Sequence, residues 1–494
     1  MMRTAMPSYS LFEYERDLAG AELEALSGQR LTAADIAARL TFAASVEGLP
    51  TEQFRVEARH HALRGTRSTR QATRYLVHGL HEYKGKFNPQ MARALINAVD
   101  PSATSLLDPF CGSGTTVVEG RRLGLNAAGI DQNPLARWMA EVKAQTLSYA
   151  GLTGIASRFE TLVSSVCEAM KVAQDGAEAP TPPQVESRDD VYLRTWFPEP
   201  VLAALWAGLA IIEQGDEPLR DVARLCLSNI IRQVSWQLPE DLRVRRRPPD
   251  WCWPNVAEHF SVSADRGALA LSELETMQGT ALGEARILFG SSREPETVGR
   301  AFYPGRRLVV TSPPYATALP YIDTDRLSIV LLGLDSSGQL RNLEQSLTGS
   351  REWNAAEARA WARRRAANQD ELPADLQELL SLIAQRNADT GAGFRRAAVP
   401  NLLYRYFAQM ADTLSALRLH LTAGEAAVFV VGTNRTGAGN AQTLIDTPAL
   451  LASVARTRGY SVERILPFQT WARYGMHSRN AVNSESAVIL KAEA

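Results

Sequence analysis

Cysteine is scarce in this 494-residue chain, and the four present, Cys111, Cys167, Cys226 and Cys252, form no Cys-x-x-Cys pair. That argues against a zinc site or a disulfide framework and fits a reducing cytoplasm. No apolar run approaches the ~20 residues that span a bilayer, and the first residues lead into no signal-like apolar core. A cytoplasmic protein with no membrane contact is expected. Charge of either sign is not in excess. The formal net charge is −1, so any nucleic-acid surface has to come from local clusters of arginine and lysine. No repeat at solenoid periods is visible. What is there is ordinary globular composition, 45% hydrophobic and 22% charged, in a chain long enough for two or three folding units.

The chain is organised around Leu106-Leu107-Asp108-Pro109-Phe110-Cys111-Gly112-Ser113-Gly114-Thr115-Thr116. An apolar run turns into a glycine loop and then a helix-like segment, Val117 to Leu123. Glycine lets the backbone turn sharply and approach a ligand closely. The free N–H groups at a helix start favour a carboxylate or phosphate. A second strand-like run, Asn126 to Ile130, ends at Asp131, where an acid is placed to hold ribose hydroxyls. The combination points to a nucleoside cofactor. A dinucleotide would call for a third glycine where Val117 stands. The plain alternative is an ordinary strand–helix turn.

A second motif, Thr311-Ser312-Pro313-Pro314-Tyr315, follows the strand-like run Arg307 to Val310. With both motifs in view, the chain resembles the DNA amino-methyltransferases, which use S-adenosylmethionine to methylate N4 of cytosine or N6 of adenine. The resemblance implies an α/β fold of the class I methyltransferase type: a Rossmann-like, mostly parallel seven-stranded sheet with a C-terminal antiparallel hairpin, plus helical insertions. It implies cofactor contacts from Lys86 and Phe87 (the methionine pocket), Asp108, Phe110, Gly112, Gly114, Thr115 and Asp131. It also implies one from Glu284, in Gly283-Glu284-Ala285 where the family usually has Gly-Asp-Ala, to the adenine amino group.

Ser312, Pro313, Pro314 and Tyr315 are the expected catalytic residues. A base amino group is a poor nucleophile and has to be held in line with the methyl–sulfonium bond. The Ser312 hydroxyl and the Pro313 carbonyl can accept its protons. The prolines fix φ and carry no competing N–H. Tyr315 offers a face for a base flipped out of the duplex. No metal is needed. A C5-cytosine enzyme is excluded, because it needs a cysteine nucleophile, usually after proline, and no Pro-Cys occurs. Cys111 is read as packing.

The expected segments are 1–73 (N-terminal, helical and basic), 74–149 (cofactor half of the core), 150–275 (helical insertion, candidate target-recognition region), 276–334 (core with the Ser-Pro-Pro-Tyr motif), 335–400 (polar helical insertion) and 401–494 (the rest of the core). Helices are expected near 155–172, 199–213, 218–236 and 401–420, and strands at 426–431, 463–468 and 487–490. In the first insertion, Arg243, Arg245, Arg246 and Arg247 precede Trp251 and Trp253. Arginine beside aromatics suits phosphates and stacked bases; the plain reading is a basic loop with its tryptophans turned inward. The run Arg55 to Arg74 either tracks phosphates or is a solvated face, and the second insertion is a lid, a DNA-recognition element or a solvated helical hairpin.

The resulting expectation is site-specific methylation of duplex DNA, with cytosine N4 favoured because serine stands first in Ser-Pro-Pro-Tyr. The alternatives are adenine N6, an RNA amino group such as guanine N2, and a non-catalytic DNA-binding subunit. The recognised sequence, the oligomeric state and any restriction or defence-system partner subunit stay open.

Overall fold

The computed structural model describes residues 2–176, 187–241, 244–277, 281–316, 321–437, 442–469 and 484–494. Its main sheet has seven strands: β1 Ser105–Asp108, β2 Asn126–Asp131, β3 Ala285–Phe289, β4 Arg307–Thr311, β5 Ala426–Gly432, β6 Tyr460–Gln469 and β7 Ser484–Ala492. Their spatial order is β6-β7-β5-β4-β1-β2-β3. The first five run parallel, and β7 is antiparallel to both neighbours. This is the Rossmann-like, mostly parallel sheet closed by a C-terminal antiparallel hairpin that the motifs imply.

The alternation of side chains along each strand builds two cores. Leu107, Val309 and Phe429 face one layer, with Tyr406, Phe407 and Met410 of the helix Val399–Arg418. Leu106, Leu308 and Val428 face the other, with Met91 and Leu95 of helix α1, Pro89–Val99. Strands buried on both faces read as unbroken apolar runs, and β1 and β5 are buried at every position. Helix α1 starts as its sequence predicts, with Asn88 Oδ1 accepting from the Met91 N–H (3.1 Å) and Pro89 at the first position. Helix α2, Thr115–Arg122, follows the glycine loop, and α3, Pro134–Thr146, follows β2. Gly114, at φ +84°, lets α2 and α3 approach; a Cβ there would lie 2.8 Å from the Ala140 Cα.

The first insertion is helical: Ile155–Gln174, Ser187–Trp196, Glu199–Ile212, Leu219–Ile231 and Val256–Glu275. It shares one apolar cluster with α3, running from Leu135 and Trp138 through Phe159, Leu205 and Leu225 to Phe260. The second insertion is thinner. Leu376, Leu380 and Ile383 of the helix Ala374–Asp389 join the sheet's core, whereas the helix Ala355–Ala366 buries no residue.

A buried ionic cluster fastens the N-terminal third to the sheet. Glu119 on α2 accepts from Arg122 Nη1 (2.8 Å), His78 Nε2 (2.7 Å), Tyr75 Oη (3.1 Å) and Arg93 Nη1 (3.5 Å). Both arginines also reach Glu52. Burial alone would raise the Glu119 pKa. Arg122, His78 and Arg93 together hold it well below the usual carboxylate range. His78 is kept neutral by burial, its pKa pushed down to about 3, so its Nε2 donates as an N–H. Glu119→Gln leaves two buried guanidinium groups short of a counter-charge and is expected to destabilise the fold by ~3–5 kcal/mol, read as a lower urea midpoint. Because the folded pKa is lowered, the ionised form's contribution is complete above the ordinary glutamate value of about 4.3. It is lost only as pH falls through the folded value.

Candidate active site

In a parallel sheet every strand delivers its C-terminal end to the same edge. Here that edge holds a cleft of about 630 Å³, walled by Gly112, Asp131, Ser312, Pro314, Tyr83 and Tyr321. Phe110 and Asn133 also line it.

The glycine loop is fixed by the end of the neighbouring strand. The Gly112 N–H donates to Asp131 Oδ2 (2.9 Å), and Asp131 Oδ1 accepts from the Asn133 N–H (2.8 Å). Each carboxylate oxygen keeps acceptor capacity. Gly112 sits at φ +49°, and a Cβ there would meet the Tyr83 ring at 3.1 Å. Burial pushes Asp131 up to about 6. Thr115 is buried at the start of α2, and the buried Ser113 hydroxyl has no partner among the described residues.

Asp108 lies behind the cleft. It accepts from the Thr311 hydroxyl (2.6 Å) and the Phe110 N–H (3.1 Å), and burial raises it to about 6. Thr311 immediately precedes Ser312, so this one carboxylate joins the glycine loop to the Ser-Pro-Pro-Tyr segment. Ser312 and Pro314 face the cleft and Pro313 is buried behind them. The Tyr315 hydroxyl donates to Glu485 on β7. The aromatic walls of the cleft are Tyr83, Phe110 and Tyr321, and the Tyr83 and Tyr321 rings lie near-parallel with centroids 6.4 Å apart.

Lys86 and Phe87 support this arrangement from outside the cleft. The Lys86 ammonium donates to the carbonyls of His78 (2.7 Å) and Thr73 (3.3 Å), and burial lowers its pKa to about 7. Phe87 packs against the α1 cluster. Tyr83 and Gly85 are the residues of that segment which reach the cleft.

Glu284 is not brought to the cleft. It precedes β3 at the sheet's opposite edge, where its N–H donates to Asn126 Oδ1 and its carbonyl accepts from the Ala127 N–H. The five residues of β3 separate it from Asp131's edge, at ~3.3 Å each. The turn that does enter brings Gly290 and Ser292 to the cleft, and it carries a hydroxyl where a carboxylate was expected. The signal was available: the strand-like Ile287-Leu288-Phe289 follows Gly283-Glu284, so that pair precedes a strand and does not end one. Sequence reasoning also missed Tyr83, Asn133 and Tyr321, and the second insertion's Leu347 and Thr348 on the cleft wall. Asn133 was legible as a helix cap before Pro134. It also donates to Asp325 Oδ2 (2.8 Å), a buried acid raised to about 6.

The arginine loop of the first insertion is largely engaged with its own surroundings. Arg243 lies outside the described residues. Arg245 pairs with Asp241 (2.8 Å). Arg246 donates to the Thr195 carbonyl (2.7 Å) and sits 5.6 Å from the rings of Trp196 and Trp236. Arg247 donates to the carbonyls of Ser235 (3.0 Å) and Gln233 (2.9 Å) and lies over Trp251 at 4.2 Å.

Comparison with known proteins gives the same direction. Residues 55–140 match the N6/N4 DNA methylase family. The type II methyltransferase M.MvaI of Kocuria varians is 27% identical over 296 residues, covering 56% of this chain and 63% of the relative. M.MjaII of Methanocaldococcus jannaschii is 45% identical over 69 residues, 14% of this chain and 13% of its own. M.BsoBI of Geobacillus stearothermophilus is 35% identical over 74 residues, 15% and 14%. The chain thus spans under two thirds of the length of M.MvaI and a small part of the other two. The matches and the sheet order together make this chain similar to the N4/N6 DNA amino-methyltransferases that its motifs resemble.

Proposed function

We propose that this chain transfers the methyl group of S-adenosylmethionine to an exocyclic amino group of a base in duplex DNA, with N4 of cytosine favoured. The observation that carries the reading is the single cleft in which the glycine loop and Asp131 meet Ser312 and Pro314, joined from behind by the Thr311–Asp108 bond. The residues fit the cofactor. A glycine cradle that a Cβ would fill, an unpartnered buried Ser113 hydroxyl and an acid with spare acceptor capacity stand together at the strand ends. When bound, the cofactor supplies an electrophilic methyl on a positive sulfonium.

The chain's own residues do the rest. Asp131 accepts from ribose hydroxyls. The N-terminus of α2 and the loop N–H groups favour the methionine carboxylate. Ser312 Oγ and the Pro313 carbonyl accept the amino protons and hold the nitrogen in line. Tyr83, Phe110 and Tyr321 exclude water and give flat faces to the heterocycles. Ser292, on the turn after β3, stands on the cleft wall in place of Glu284, where the adenine end of the cofactor is expected. Serine at position 312 favours cytosine through the resemblance alone; the adenine-N6 reading differs only in the base admitted.

Two measurements test the proposal. With tritiated S-adenosylmethionine and mixed-sequence duplex DNA, nucleoside digestion is expected to yield labelled N4-methylcytosine. Labelled N6-methyladenine would replace the target atom, and label confined to an RNA control would overturn the DNA reading. Ser312→Ala is expected to lower the rate by roughly 10²–10³-fold, the scale for one lost polar contact to a transition state, with cofactor affinity unchanged.

Cofactor affinity, measured by calorimetry, is expected to rise as pH increases through about 6 and to level off above it, because Asp131, raised by burial, ionises there. Asp108 and Asp325 titrate in the same region. The portion of the step that Asp131→Asn removes is therefore the ribose acid's own. That variant is also expected to bind at least ~10-fold more weakly, the scale of one lost charge-assisted hydrogen bond. An unchanged affinity and profile would remove Asp131 from the cofactor site.

A further inference from the structure

We propose that the second insertion carries a phosphate-binding site for the backbone of duplex DNA, built from Arg386 and Arg396, with Arg395 and Phe394 beside it. The inference rests on the DNA-methylation reading and assigns the surface that holds the substrate.

The site is a cavity of about 380 Å³ between the helix Ala374–Asp389, the turn Phe394–Ala397 and the paired short strands Asn434–Thr436 and Thr443–Ile445. Its lining includes two arginines and the hydroxyls of Thr390, Thr436 and Thr443, and no carboxylate. Among the described residues the Arg386 guanidinium makes one hydrogen bond, to Thr443 Oγ1 (2.8 Å), out of the five donors it carries. The Arg396 guanidinium is exposed and has no partner among the described residues. Its position is nonetheless fixed, because the Arg396 carbonyl accepts from Asn387 Nδ2 (2.7 Å), which ties the turn to the helix. Two guanidinium groups with the Thr436 and Thr443 hydroxyls on the same wall match a phosphodiester, whose two non-bridging oxygens form a fork of acceptors and carry a permanent charge.

Phe394 adds a second, independent sign. At 80% exposure it is the most exposed large apolar side chain among the described residues, and the Arg395 guanidinium lies 5.6 Å from its ring. An aromatic left in water beside cations suits a sugar or base face. The placement also fits. The short strands continue directly from the C-terminal end of β5, whose Phe429 is in register with Thr311 of β4. The cavity therefore stands on the edge of the sheet where Ser312 opens into the cleft. The first insertion offers less: the guanidinium groups of Arg246 and Arg247 are taken up by carbonyls and indoles.

The test is a titration of labelled duplex DNA, followed by fluorescence anisotropy, between 50 and 200 mM salt. Wild type is compared with R395E/R396E, F394A and R55E/R59E, and cofactor binding is measured on each by calorimetry. For R395E/R396E the expected result is at least ~10-fold weaker DNA binding, with the slope of log affinity on log salt flattened by about 1–2, since each lost phosphate contact removes ~0.9. F394A is expected to weaken binding with the slope kept. Cofactor binding stays at the wild-type value in both. Wild-type affinity and slope in R395E/R396E, or the loss appearing in R55E/R59E instead, overturns this surface while leaving the methylation reading intact. A wild-type chain that binds S-adenosylmethionine but no duplex DNA overturns both.

Discussion

Thr311 donates to Asp108 across two adjacent strand ends, in a place that water does not reach. A hydrogen bond to a buried carboxylate contributes ~1.5–3 kcal/mol, but its larger effect is geometric. One residue beyond Thr311 is the serine that faces the cleft; two beyond Asp108 is Phe110, and four beyond it Gly112. Segments that lie some 200 residues apart in sequence are thereby held to one relative position (|i−j| is 203 for this pair). Everything inserted between them has to leave that bond undisturbed. The chain obeys this by building the first insertion onto α3, away from the strand pair; the second insertion follows Thr311 and brings Leu347 and Thr348 to the cleft wall.

The N-terminal third depends on a different constraint. Glu119, Arg93, Arg122 and Glu52 are charges that an apolar interior would reject singly. Placed together they satisfy one another, and they make α2 the meeting point of three otherwise separate segments. The helix that opens at the glycine loop is thus held at its start by close packing on Ala140 and along its length by ion pairs. That leaves the loop little freedom to change shape.

Most of the core was legible from sequence. The apolar runs at 106–108, 126–131, 307–311 and 426–432 are strands because only a doubly covered sheet hides such runs, and Asn88-Pro89 and Asn133-Pro134 mark helix starts. The glycine loop and Ser312-Pro313-Pro314 stand where their motifs suggested. The errors came from contacts that sequence does not encode locally. Glu284 was expected at the adenine through the resemblance of Gly283-Glu284-Ala285 to a Gly-Asp-Ala motif, and the strand that follows it carries it to the other edge. Lys86 was expected in the methionine pocket through the resemblance, yet its ammonium is taken by two carbonyls. Arg246 and Arg247 were expected at nucleic acid because they stand beside tryptophans, yet carbonyls take up their guanidinium groups. Tyr83 and Tyr321 carry no motif; only the fold brings them into line.

The shared apolar cluster of α3 and the first insertion has a consequence for modularity. Leu135 and Trp138 of α3 share one apolar cluster with Leu225 of the insertion, whose Arg224 lies 5.2 Å over the Trp138 ring, and α3 in turn supports Gly114. Residues 150–275 are therefore no interchangeable cassette laid on a finished scaffold. A chimaera that took this segment from a relative would uncover the floor beneath the glycine loop, so the two have to vary together, as one inherited piece.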